Sequence, residues 1–123
     1  MHEQIALHHV SLVVADTSRA LSFYQGVLGL QVDPGRPNLS IDGAWLKVGD
    51  LQIHLLQVPN PDPVAGRPEH GGRDRHVAFA VPDLDRILVR LDQNKIAYTL
   101  SRSGRRALFC RDPDGNACEL VEV

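Results

Sequence analysis

The sequence predicts an α+β fold built from two tandem βαβββ modules, and three of its features lead to that prediction. The segment from His9 to Leu21 recurs without a gap as the segment from His76 to Leu88. In both copies the apolar residues change from a spacing of two to helical spacing. Between the copies, residues 59–73 hold four prolines and three glycines with no periodicity. We therefore expect a duplicated fold with a loop or hinge between its halves.

The helix of each copy follows its first strand after an acidic or hydroxyl cap. Gly29 and Asn94 are typical of the residues at which such helices end. The apolar helix faces are predicted to contain Ala20, Tyr24, Val27 and Leu28 in the first copy and Leu84, Ile87, Leu88 and Leu91 in the second.

Three more strands are predicted after each helix. Gly49-Asp50 and Pro113-Asp114-Gly115 supply tight turns between the last two strands of each copy. The predicted strands are Leu30–Asp33, Ala44–Val48 and Leu51–Val58 in the first copy, and Ile96–Ser101, Arg106–Arg111 and Ala117–Val121 in the second.

The length of 123 residues favours a single domain, 1–123. We expect module one at about 5–58, the linker at 59–73 and module two at about 74–123. A net charge of −2 gives no general attraction to nucleic acid or anionic membranes, so we expect neither as a partner. No apolar run is long enough to span a bilayer and no signal peptide is evident, which predicts a cytoplasmic protein. In that compartment Cys110 and Cys118 are expected to be reduced packing residues.

The polar residues on the predicted strands suggest a metal site. Side chains two apart on a strand share a face, so His9 and His76 each lie on a face with small residues, opposite a bulky apolar face. His54 and Glu119 occupy equivalent places on the last strand of each copy. Imidazole and carboxylate together suit zinc, nickel, cobalt, manganese or iron. The four candidate ligands of one divalent ion are therefore His9, His54, His76 and Glu119.

The other histidines are given a simpler interpretation. A single histidine outside such a pattern is more often a hydrogen-bonded or half-exposed side chain than a ligand. We apply this interpretation to His2, His8 and His70.

The chain resembles the vicinal-oxygen-chelate superfamily, which includes glyoxalase I, extradiol dioxygenases, methylmalonyl-CoA epimerase and the fosfomycin and bleomycin resistance proteins. The resemblance covers nearly the whole chain. It rests on four segments taken together and in order: His9–Asp16, Phe23-Tyr24 with Leu28-Gly29-Leu30, His76–Val81, and Phe109–Leu120. It implies two modules that form a metal-binding cup, with ligands at His9, His76 and Glu119.

Two departures from the family pattern concern the chemistry. Glyoxalase and epimerase branches usually have Glu or Gln as a fourth ligand where this chain has His54, so Glu119 becomes the main candidate for proton transfer, with His54 a ligand, a base or both. Glyoxalase I has arginine and asparagine where this chain has Val13 and Val58, so glutathione recognition is not expected.

The resemblance implies a metal-dependent lyase or isomerase of the glyoxalase type that acts on a small oxygen-chelating substrate. Two alternatives stay open: an extradiol-type dioxygenase, since two histidines and one carboxylate also bind non-haem iron, and a resistance protein that binds antibiotic without turnover. Arg102, Arg105 and Arg106 are candidates for steering an anionic substrate, although a solvated hairpin is the simpler interpretation. We also expect a homodimer, in which each site can take residues from two subunits.

Overall fold

The structure is a computed structural model that describes residues 3–123, so His2 lies outside the described residues. The first half contains β1 (His9–Val14), α1 (Thr17–Tyr24), β2 (Gln31–Val32), β3 (Gly43–Val48) and β4 (Leu51–Gln57). The second contains β5 (His76–Val81), α2 (Leu84–Gln93), β6 (Tyr98–Leu100), β7 (Ala107–Arg111) and β8 (Ala117–Glu122). A short 3-10 helix at Gly71–Arg73 precedes β5. The predicted order βαβββ therefore occurs twice.

Each half forms its own four-stranded sheet, with strand orders β1-β4-β3-β2 and β5-β8-β7-β6. The first and last strands of each half are parallel neighbours, because the helix and the two intervening strands carry the chain back to its starting side. Ser11 pairs with His54 and Ala78 pairs with Glu119. His54 and Glu119 thus occupy equivalent register positions, as the sequence repeat predicts.

The helices begin and end for local reasons. The Asp16 carboxylate accepts the backbone N–H of Arg19 at the start of α1, and the Asp83 carboxylate caps α2 in the same way. After α1 ends at Tyr24, the chain continues as a turn to Gly29, which has a φ of 76°. Val27 and Leu28 therefore lie in this turn and not in the helix, although Val27 is buried as expected.

Two predicted strands, β2 and β6, are shorter than expected by at least two residues. β2 stops before Asp33, because that carboxylate accepts the backbone N–H of Gly35 in a tight turn. β6 begins only at Tyr98, since the N–H of Ile96 still donates to Leu91 at the end of α2.

One apolar cluster joins both halves. The helices cover one side of each sheet, and α1 also contacts the β7–β8 turn of the second half. There the Tyr24 hydroxyl donates to Asp112 Oδ2 at 2.7 Å, and Asn116 Nδ2 donates to the Val13 carbonyl at 3.1 Å. The largest fully buried side chains are Tyr24, Phe23, Leu46, Leu55, Leu91, Leu108, Leu120, Val14, Val27 and Cys118.

The two cysteines are packing residues, as predicted. Cys110 and Cys118 are opposite each other on β7 and β8, and both are buried free thiols. Burial raises the pKa of Cys110 to about 12, which keeps this thiol protonated and unreactive.

The linker is fixed to the second half by a cluster of charges. Asp74 accepts two hydrogen bonds from Arg67, at 2.7 and 2.9 Å, and one from Arg111 at 2.8 Å. These arginines hold the pKa of Asp74 well below its usual range. Within residues 3–123, no helix has both the length and the apolar character needed to cross a membrane.

Candidate metal centre

The side of each sheet that faces away from the helices carries the predicted site residues. On β1, His9 and Ser11 are exposed on this side, while Val14 on the other side is buried. On β5, His76 and Ala78 are exposed in the same way. We call these surfaces the open faces; the first contains His9, Ser11, Trp45 and His54, and the second contains His76, Ala78, Phe109 and Glu119.

Three aromatic rings are stacked on the first open face. The His54 ring lies between His9, with ring centroids 4.0 Å apart, and Trp45, with centroids 4.3 Å apart. His54 is buried, whereas His9 at the end of the stack is exposed. Burial lowers the pKa of His54, and the neighbouring His9 lowers it further. His54 is therefore neutral at pH 7, the form in which a histidine binds a metal or accepts a proton.

The stacked arrangement limits what His9 and His54 can do together. Their ring planes are within 17° of parallel, and the nitrogen lone pairs lie in those planes. Lone pairs in nearly parallel planes do not converge on one ion near both rings. One ring must rotate before the two can share a metal, and the exposed His9 is freer to do so than the enclosed His54.

The second open face holds a buried carboxylate between a histidine and an arginine. Glu119 Oε1 lies 3.3 Å from His76 Nε2, and Glu119 Oε2 accepts a hydrogen bond from Arg105 at 3.2 Å. The Glu119 side chain is only 5% exposed. The Phe109 and His76 rings form a T-shaped pair, with centroids 5.1 Å apart. Both carboxylate oxygens are thus engaged.

The backbone carbonyl of Asp74 determines which ring nitrogen of His76 carries the hydrogen and which one presents a lone pair to Glu119. His76 Nδ1 lies 2.9 Å from the Asp74 carbonyl oxygen, which can only accept, so Nδ1 carries the hydrogen. In a neutral ring, Nε2 is then an acceptor that faces another acceptor, Glu119 Oε1. Such a pair is stable only with a cation between the two atoms, either a second ring proton or a metal ion.

The structure brings the four candidate ligands together in two pairs. His9 contacts His54 in the first half, and His76 contacts Glu119 in the second. Across residues 3–123, no three or more histidine, cysteine, aspartate or glutamate side chains lie close enough to hold one ion. The donor types fit a divalent transition metal, but one described chain presents them as two half-sites.

Several residues beside the half-sites carry no clear signal in the sequence. Trp45 and Phe109 look like core residues, and only strand register places them on the open faces. Arg105 contacts Glu119, whereas Arg106 pairs with Glu122 and Asp85. The simpler interpretation, a solvated hairpin, therefore fits Arg106 but not Arg105.

A cavity of 290 Å³ lies between the edge strands β1 and β5. His76 contributes to its wall, but His9, His54 and Glu119 do not. His76 therefore borders this cavity as well as the second open face, whereas the other three candidate ligands do not line it.

Comparison with known proteins agrees with the fold. Residues 6–120 match the model of the Glyoxalase/Bleomycin resistance protein/Dioxygenase superfamily. The chain is 31% identical over 121 residues to Glyoxylase I 4 of Arabidopsis thaliana, a match that spans 94% of this chain and 69% of that protein.

Solved structures show the same architecture. A protein from Bacillus anthracis described as glyoxalase family superposes with a TM-score of 0.78 at 26% identity, over 99% of this chain and 98% of that one. A fosfomycin resistance protein, FosX of Listeria monocytogenes, in complex with Mn(II), has a TM-score of 0.76 at 16% identity, over 98% of this chain and 93% of that one. At that identity the FosX likeness concerns the fold alone.

Proposed function

The chain belongs to the glyoxalase/bleomycin resistance protein/dioxygenase superfamily, and from this premise we propose that it is a divalent-metal-dependent lyase or isomerase. Its substrate is a small molecule with neighbouring oxygen atoms that can chelate the metal. We propose His9, His76 and Glu119 as ligands, and His54 as the group that transfers the proton.

The observation that carries this proposal is the pair formed by His76 and Glu119. Their facing acceptor atoms are 3.3 Å apart. Two donors bound at about 2.0–2.2 Å to one tetrahedral ion are roughly 3.3–3.6 Å apart, so the pair has a spacing suited to adjacent ligands. The hydrogen bond from His76 to the Asp74 carbonyl also fixes the ring orientation, as is usual for metal-binding histidines.

A second copy of the chain is the proposed source of the remaining ligand. Within one described chain, His9 and His54 do not join His76 and Glu119 in a single cluster. A two-fold dimer can bring the first open face of one subunit to the second open face of the other, which gives two equal sites. Light scattering at micromolar concentration tests the dimer. Mixing inactive His9→Ala and Glu119→Ala subunits tests the sharing, since one restored site per dimer is expected.

The bound metal supplies Lewis-acid stabilisation of negative charge on the chelated oxygens. The protein supplies the proton transfer. Because both oxygens of Glu119 are already engaged, the neutral His54 is the better acceptor for a proton on the carbon next to the chelated carbonyl. Arg105 holds Glu119 in place and presents positive charge beside the site, which favours an anionic substrate.

The proposed partners and location follow from the same features. The net charge of −2 supports a small-molecule substrate and neither nucleic acid nor membrane as a partner. The buried free thiols support the cytoplasm. The single apolar cluster that spans both halves supports one domain over residues 1–123.

The reaction class can be tested without knowing the natural substrate. Protein loaded with zinc, nickel, cobalt, manganese or iron is incubated in D₂O with small α-hydroxycarbonyl and 2-oxo compounds, and exchange of the carbon-bound proton is followed by NMR. We expect exchange in the wild type, and its loss in His54→Asn with the metal retained. Oxygen consumption with catechols would instead identify a dioxygenase, and tight ligand binding without exchange would identify a sequestering protein.

A further inference from the structure

A chain of hydrogen bonds runs from the end of β2 to His54. Gln52 Nε2 donates to Asp33 Oδ2 at 2.7 Å, and Gln52 Oε1 lies 2.9 Å from His54 Nε2. Asp33 Oδ1 accepts the backbone N–H of Gly35 at 2.8 Å. Gln52 and His54 are on the same face of β4, two residues apart, so the geometry follows directly from the strand.

The charge on Asp33 determines the direction of every bond in this chain. The Gly35 N–H and the Gln52 amide lower the pKa of Asp33, so its carboxylate is ionised at pH 7 and can only accept. Gln52 must therefore turn its NH₂ group toward Asp33 and its oxygen toward His54. That oxygen is also an acceptor only, so His54 Nε2 must donate. In the neutral ring the lone pair is then on Nδ1.

The other ring nitrogen of His54 is open to the first open face. No described residue forms a hydrogen bond with His54 Nδ1. Among the side chains of residues 3–123, the one buried nitrogen or oxygen atom without a hydrogen-bond partner is Asp114 Oδ2. His54 Nδ1 is therefore not sealed in the interior, although most of the ring is enclosed by Trp45 and His9.

We infer that Asp33 and Gln52 are positioning residues that hold His54 with its hydrogen on Nε2 and its lone pair on Nδ1, directed to the reacting groups. This inference rests on the proposed function only for the use of the lone pair. The hydrogen bonds that link Asp33, Gln52 and His54, which we call the relay, form without any metal. Trp45 and His9 prevent the ring from tilting, and the relay prevents it from turning over or exchanging its proton between nitrogens.

The test is NMR of the imidazole nitrogens and ring protons in metal-free protein labelled with ¹⁵N at histidine, with the His54 signals assigned from a His54→Asn variant. In the wild type we expect one tautomer, with a slowly exchanging proton on Nε2. In Gln52→Met that proton should exchange at least about tenfold faster, because its hydrogen bond is lost. Gln31→Met, an exposed change on the edge strand β2 of the same sheet, is the matched control and should leave the signal unchanged.

A double variant separates the relay from a general effect on folding. In Asp33→Asn with Gln52→Glu, the new amide can donate to the new carboxylate, which can still accept from His54. The slow Nε2 proton should therefore return. A wild-type proton on Nδ1, an unchanged signal in Gln52→Met, or no recovery in the double variant would each overturn the inference. None of these outcomes depends on metal, so failure of the proposed function would be seen separately, as a lack of metal binding.

Discussion

Replacing Asp74 with asparagine should destabilise the fold far more than replacing the nearby Asp62. The Asp74 carboxylate is 10% exposed and accepts three charge-assisted hydrogen bonds from Arg67 and Arg111. Asparagine keeps the size but removes the charge, and it leaves two guanidinium groups without their counter-ion. Breaking a buried ion pair typically costs about 3–5 kcal/mol, and partial exposure of both arginines lowers the expected cost to about 2–3 kcal/mol.

The expected effect depends on pH. Because Arg67, then Arg111, depress the pKa of Asp74, its ionised form stabilises the folded state above the unfolded pKa of about 3.9. This stabilisation begins to fall as the pH drops below that value, because the unfolded chain takes up a proton there first, and it is lost completely only below the depressed pKa of the folded state. The difference between wild type and Asp74→Asn should therefore be largest near neutral pH and should shrink in acid.

Urea unfolding at pH 7 and at pH 3 measures both parts of the prediction. At pH 7 the loss corresponds to a fall in Tm of roughly 6–12 °C for a chain of this size. Asp62→Asn is the control, since the Asp62–Arg75 pair is 53% and 67% exposed and should contribute less than about 1 kcal/mol. Equal losses in the two variants, or a loss that does not shrink in acid, would refute the reasoning.

Three other predictions concern the core, the stack and the substrate. Tyr24→Phe should cost about 1 kcal/mol in urea unfolding because it removes one of the two side-chain donors to the buried Asp112 Oδ2, the other being Asn116; a change within experimental error would contradict this. Trp45 is the one tryptophan of the chain, so its fluorescence should change on metal addition as an ion binds beside the stack and His9 rotates away from His54; constant emission with bound metal would count against a site at the stack. The hemithioacetal of glutathione and methylglyoxal should be a poor substrate, because Val13 and Val58 offer no charge or amide to glutathione, and efficient isomerisation with any of the five metals would disprove this.

The fold could be predicted from the sequence because its signals are local and repeated. The spacing of apolar residues after His9 and again after His76 predicted both strand-helix units and the side of each strand that is buried. The turn residues Gly49 and Gly115, which both have positive φ, predicted where the last hairpin of each half turns. Register then placed His54 and Glu119 at equivalent positions.

The surroundings of the site could not be predicted in the same way. Contacts such as Trp45 on His54 and Phe109 on His76 depend on which residues face each other across strands, and the sequence pattern does not specify that register. The distance between the two half-sites depends on how the two halves pack against each other. The spacing of residues along the chain carries no information about that packing. Arg105 reaches Glu119 from an irregular loop, where no periodicity indicates the direction of a side chain.

Metal content of the purified and zinc-loaded protein, measured by mass spectrometry after dialysis, tests the central claim most directly. The proposed site predicts about one ion per chain in the wild type and its loss in both His76→Ala and Glu119→Ala. Glu122→Gln, a change on the same strand that instead affects the contacts with Arg106 and Leu84, should keep the ion. Full metal content in both His76→Ala and Glu119→Ala would contradict a metal centre at this pair.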